Sequence, residues 1–175
     1  MSSIAIDISN PFVDGFTSGL GGPNQGGHQP PDWYIQYGMD LGADEGTEVR
    51  AAFDAHITRL SPHDPSADSG KVYGAQLFMR APNDMMGGFF THISDLPPDL
   101  TVGSEVARGD VLGTVFSFNG IPPHLHIALV EIIGGLPGGT YQGVDLYSLF
   151  LQTANTDVVT SVIFMQDGSP PVTEQ

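Results

Sequence analysis

The segment "PPHLHIAL" places His124 and His126 two residues apart in an apolar run. On an extended strand, positions i and i+2 share a face. Both imidazoles then project to one side, while Leu125, Ile127 and Leu129 point into a core. Two imidazoles so placed can act as zinc ligands, or as one ligand and one base. A carboxylate stands in "YIQYGMDLG", at Asp40. Read as extended, that stretch puts Gln36, Gly38 and Asp40 on one face and Tyr37, Met39 and Leu41 on the other, and Gly38 leaves the space above it open for a bound group. A further histidine, His92, ends "GGFFTH". His28, His56 and His63 lack comparable context and read as ordinary hydrogen-bonded residues, although His28 lies in a long loop able to reach the site.

These residues need a frame. Short apolar runs between 23 Gly and 14 Pro predict many strands and turns. The strands expected are Ile4–Ile8, Trp33–Leu41, Glu48–Ala52, His56–Leu60, Gly74–Arg80, Gly88–His92, Val111–Phe118, His124–Ile132 and Val158–Gln166. Residues 15–32 read as a flexible Gly/Pro/Asn loop, Ser61–Lys71 as a turn-rich connector, and 167–175 as a frayed tail. One short C-terminal helix is expected within Val144–Thr153. Together they describe a mainly β, antiparallel single domain over 1–175, with its core at about 33–150.

Acidic residues outnumber basic ones 20 to 5, for a formal net charge of −15. Such a field repels phosphate backbones and anionic headgroups, which argues against nucleic acid and membrane surfaces as partners. No run approaches the ~20 apolar residues of a membrane span. "MSSIAIDISNPF" has no basic segment before an apolar core, so no signal peptide is expected, and the compartment stays open between the cytoplasm and a mature secreted form. With no cysteine there is no thiolate ligand, disulfide or cysteine nucleophile.

Taken together, "YGMDLGADEGTEVRAAFDAHITRL", "FFTHISDL", "VGSEVARGDVLGTV" and "PPHLHIAL" resemble the lysostaphin/LytM-type zinc endopeptidases that act on peptidoglycan, over about Trp33 to Leu129. "GVDLYSLF" is similar to that family's usual close. The resemblance implies the family's β architecture of the duplicated hybrid motif type. It implies Asp40 and His126 as metal ligands, with His92 and His124 activating water and stabilising the oxyanion. The family's first ligand is a histidine four residues before the aspartate, and here that position is Gln36. A carboxamide oxygen is a poor zinc donor, so Gln36 would be a weak ligand. The cofactor implied is zinc, weakly held, or another divalent ion.

Two functions follow. In the first, the chain is a metal-binding recognition module for a glycan or cell-wall-type glycopeptide, lectin-like, with hydrolysis weak or absent and with Trp33, Tyr34 and Tyr37 stacking on the ligand. In the second, it is an active zinc endopeptidase cutting peptide cross-bridges of peptidoglycan, tolerating Gln36 or recruiting His28. The first is preferred because of Gln36, and Gln36→His is then expected to tighten zinc. A lipoyl or biotinyl carrier is rejected because the only lysine, Lys71, lacks the flanking pattern of a carrier hairpin. A phosphocarrier histidine is disfavoured because Asp40 would repel the phosphoryl group.

Overall fold

The computed structural model describes residues 3–63, 73–117 and 120–174. Most of the Ser61–Lys71 connector lies outside them, as does the end of the strand expected at Val111–Phe118. The chain is mainly antiparallel β. Its smaller sheet pairs β1 (Ile4–Ser9) with β12 (Val159–Phe164), and β12 with β13 (Val172–Glu174). The larger sheet has ten strands, and its central path is β2 (Phe16–Gly21), β3 (Met39–Ala43), β10 (His124–Ile133), β7 (Met86–Ser94), β6 (Ala75–Arg80), β5 (Ala55–Ser61) and β8 (Glu105–Val106). Off that path, β11 (Thr140–Val144) pairs with β10, and β9 (Val111–Val115) joins β4 (Glu48–Arg50) to β7.

Alternation fixes what each central strand buries. In β6 the burial alternates along the strand, with Ala75, Leu77 and Met79 inward. β10 is buried along almost its whole length. Its inner face, with Leu125, Ile127 and Leu129, joins Leu41, Phe90, Phe53 and Leu77 in one core. The opposite face of β10 carries His124 and His126, and this side of the sheet forms the floor of the site.

Four local expectations change. Trp33–Leu41 is not one strand: Trp33–Gln36 forms a single helical turn, α1, and only from Met39 does the chain extend. The pair Pro30–Pro31 and Asp32 lead into it. The Asp32 carbonyl accepts from the N–H groups of Ile35 and Gln36, and Gly38 closes the turn on the Ile35 carbonyl. Apolar and aromatic residues suit a helix as well as a strand over so short a run, so the competing bonds decide. Gln36, Gly38 and Asp40 therefore do not share one strand face. Within the expected loop, Phe16–Gly21 pairs with β3, and within the expected tail, Val172–Glu174 pairs with β12. The C-terminal helix α2 is shorter than the run that suggested it, at Tyr147–Thr153, with Leu149 and Phe150 buried. Its Tyr147 hydroxyl accepts from the Gly21 N–H at 3.0 Å, tying the end of β2 to the helix.

Candidate metal centre

Strand register brings the first two residues together. His126 on β10 sits opposite Asp40 on β3, and Thr91 on β7 lies opposite His126 from the other side. His126 Nδ1 is 3.2 Å from Asp40 Oδ1. The third member is His28, whose Nε2 is 3.1 Å from Asp40 Oδ2. His28 stands twelve residues before Asp40, in a loop folded on itself. Gln25 Oε1 accepts from the Gly22 N–H at 2.6 Å, and the Gln25 carbonyl accepts from the His28 N–H at 2.9 Å.

The imidazole tautomers follow from the backbone. A carbonyl only accepts, so His28 Nδ1 must donate to Gly22 O at 2.9 Å, and His126 Nε2 must donate to Tyr34 O at 2.7 Å. Each neutral ring then turns a bare lone pair toward the Asp40 carboxylate. Lone pair against carboxylate is repulsive unless a cation lies between, either a proton or a metal ion. Asp40 Oδ1 is also buried without a hydrogen-bond partner. Tetrahedral zinc with bonds of about 2.0–2.1 Å separates its donor atoms by roughly 3.3 Å; here His28 and His126 approach different oxygens of Asp40 at 3.1 and 3.2 Å, and one donor atom from each of the three residues lies within 4.8 Å of the others. Among the described residues, His28, Asp40 and His126 form a group able to hold a metal ion. Backbone acceptors on the outer nitrogens are the usual second layer of a histidine metal site. The set fits zinc.

Charge follows the same geometry. Burial opposes ionisation of Asp40, yet His126 and His28, when a further proton lets them donate to it, and the charge of the nearby imidazoles outweigh burial, holding the carboxyl well below the usual range. The Asp40 hydrogen bond raises His28, partly offset by burial.

Two more histidines face the group. His124 Nδ1 donates to Pro122 O at 2.8 Å, which turns Nε2 toward Asp40 Oδ1 at 3.7 Å. His92 Nδ1 donates to Tyr73 O at 2.8 Å, and its ring centroid is 4.8 Å from that of His124. Burial pushes His92 down to about 4, the Tyr73 bond opposing it and the charges of His124 and His126 adding to it, so the ring is neutral at pH 7. Its backbone is left-handed, with φ of 67°, an uncommon state for a residue other than glycine and one that recurs at functional sites. A cleft of about 720 Å³ opens over these residues, its lips carrying Leu20, Ile35, Tyr73 and Ile121.

Gln36 is not in the cluster. Its side-chain amide donates to Asn24 Oδ1 at 2.9 Å. Gly38 also differs from expectation: the His126 ring fills the space above it, so an added Cβ would strike the ring. Tyr34 lines the cleft, Trp33 lies in a neighbouring groove, and Tyr37 packs its ring on Gly143. His28 is the residue that the sequence offered only as a substitute ligand, with Gln36 in its place. Its one signal was "GGHQPP", a histidine between flexible and rigid segments shortly before Asp40.

Residues 34–137 match the model of Peptidase family M23. The chain belongs to that family. The M23 chain also resembles solved structures in fold. Lysostaphin from Staphylococcus simulans is 19% identical, with a TM-score of 0.53 over 83% of this chain and 54% of its own. The catalytic domain of a prophage-encoded M23 protein, EnpA, from Enterococcus faecalis is 20% identical, with a TM-score of 0.51 over 77% of this chain and 93% of its own. A zinc-containing peptidase from Vibrio cholerae is 15% identical, with a TM-score of 0.52 over 80% of this chain and 39% of its own. The M23 chain thus spans about half the length of lysostaphin. No curated relative matches it. No helix among the described residues is long and apolar enough to cross a membrane.

Proposed function

We propose that the M23 chain is a zinc-dependent endopeptidase acting on peptide cross-bridges of peptidoglycan, with His28, Asp40 and His126 as the metal ligands. The observation that carries this reading is the convergence of two imidazole lone pairs on an ionised, partly unsatisfied carboxylate at the floor of an open cleft. Zinc held there supplies a Lewis acid that acidifies water and polarises a scissile carbonyl.

The protein's own groups divide the remaining work. His124 and His92 each fix Nδ1 on a backbone carbonyl, leaving Nε2 as the basic nitrogen beside the metal ligands. One accepts the proton of the attacking water and the other, when protonated, stabilises the developing oxyanion. Leu20, Ile35, Tyr73 and Ile121, all more than a third exposed, line the rim where an extended peptide would lie.

A lectin-like module with hydrolysis lost has less support. Its premise was a weak glutamine ligand, and Gln36 is engaged by Asn24 instead. The test is hydrolysis of purified peptidoglycan and of synthetic pentaglycine by zinc-loaded protein, with His126→Ala as control. New amino termini that vanish in the variant support the proposal. Their absence from the zinc-loaded wild type on both substrates refutes it.

A further inference from the structure

Beyond the metal, the floor of the large sheet continues into a second groove. Register lays out three rows on one face. Asp40, His126, Thr91 and Gln76 form the metal row; Ala128, Phe89, Phe78 and Arg59 the next; Val130, Gly87 and Arg80 the third. Aromatic contacts run along these rows without a break. Phe89 touches His126 at 5.8 Å and Tyr34 at 5.3 Å between ring centroids, Tyr34 meets Phe78 at 5.4 Å, and Trp33 meets Tyr141 at 6.4 Å. Tyr34 lines both the metal cleft and the second groove, so the two are neighbours on one face of the sheet.

The second groove, of about 330 Å³, differs in charge from the rest of the molecule. It holds Arg59 and Arg80, two of only five basic residues in a chain with twenty acidic ones. Neither guanidinium has a carboxylate partner among the described residues: Arg59 rests on the Phe78 ring at 5.5 Å, and Arg80 donates to the Tyr141 hydroxyl at 3.3 Å. Gly87, opposite Arg80, adds no side chain to the floor. Two arginines, one resting on an aromatic face and the other tied to a tyrosine hydroxyl, with donors still available, suit a carboxylate.

We infer that this groove is a subsite for a carboxylate-bearing arm of the peptide substrate, gripped by Arg59 and Arg80 and flanked by Trp33 and Tyr141. The direction of the arm rests on the metal cleft being the place of cleavage. From His126 to Val130 is four strand positions, roughly 13 Å, and from β10 to β6 is two strand spacings, about 10 Å. An extended chain covers that diagonal in about four or five residues. The carboxylate therefore belongs to a residue four or five positions from the scissile bond.

Trp33 is the only tryptophan in the chain and lines the groove, so its fluorescence reports occupancy. The probes are acetylated, amidated peptides of five glycines with one glutamate at either end, each beside its glutamine twin. They are titrated into the zinc-stripped chain at low salt. One glutamate peptide is expected to bind about three- to tenfold tighter than its twin, with the preference lost in the Arg59→Gln, Arg80→Gln double variant and in high salt. Equal affinities of the twins in both orders, no binding by either glutamate peptide at millimolar concentration, or a preference intact in the double variant overturns the inference. Because binding is read without metal, failed hydrolysis by the zinc-loaded chain would refute the proposed peptidase and leave the subsite standing.

Discussion

Replacing His28 by alanine removes one of the three donors of the candidate metal group and leaves position 36 untouched, so it separates the two candidate ligand sets. His28 is 7% exposed, its Nε2 lies 3.1 Å from Asp40, and its Nδ1 is anchored on Gly22 O. Losing a residue that merely orients a ligand costs 10–100-fold in metal affinity. Losing the donor itself should cost at least about 100-fold, or ~2.8 kcal/mol. The companion substitution is Gln36→His, expected to change zinc affinity by less than about threefold, since position 36 faces Asn24. Zinc dissociation constants are read by competition with a chromophoric chelator, with circular dichroism confirming that each variant folds. An affinity within threefold of wild type for His28→Ala, or a tenfold gain for Gln36→His, would refute the ligand assignment and return the histidine position to residue 36.

Three further outcomes are expected. His92→Ala and His124→Ala should keep stoichiometric zinc while kcat on a cross-bridge peptide falls about 10²–10⁴-fold, checked by metal analysis beside steady-state kinetics. Gly38→Ala should push the His126 ring aside, weaken zinc more than tenfold and lower stability by about 1–3 kcal/mol in denaturant titration; wild-type zinc affinity would show that the ring has room to move. Glu131 on β10 is 2% exposed. Burial raises its pKa from the ordinary 4.5, a backbone hydrogen bond from Gln166 opposing the rise and the nearby Asp167 charge adding to it. A raised carboxyl favours the protonated fold, so this contribution is complete below pH 4.5 and is lost as pH rises through the folded value. Glu131→Gln should therefore raise Tm at pH 7 and leave it nearly unchanged at pH 4; equal shifts at both pH values would sink the argument.

Much of the frame is readable from local pattern. β5, β6, β7 and β10 fall within a few residues of where alternation and turn residues put them. β6 and the first half of β5 bury one set of alternate side chains, and a one-residue slip would expose that set, whereas β7 and β10 read as near-continuous apolar runs because both of their faces are covered. His124 and His126 share a face by the same alternation. The segments that escaped reading are those whose partners are distant. "FTSGLG" has almost no alternation and becomes β2 because β3 offers an edge. "VTE" near the end becomes β13 because β12 does. "WYIQ" turns into α1 on carbonyls from Asp32 and Trp33 rather than on any periodicity.

The amino-acid sequence by itself determined that this is an antiparallel β protein whose His-x-His strand turns both imidazoles to one face, because strand periodicity orients neighbouring side chains whatever lies elsewhere. Which histidine completes the metal group was decided only by tertiary structure. Position 36 has the expected spacing from Asp40, but one helical turn directs it to Asn24. His28 has no such spacing, yet it reaches Asp40 because Tyr147, far along the chain, holds the Gly21 amide while Gly22 holds the imidazole. A ligand set is a matter of distances in space, and a loop's hydrogen bonds to remote partners set those distances without leaving a period in the sequence.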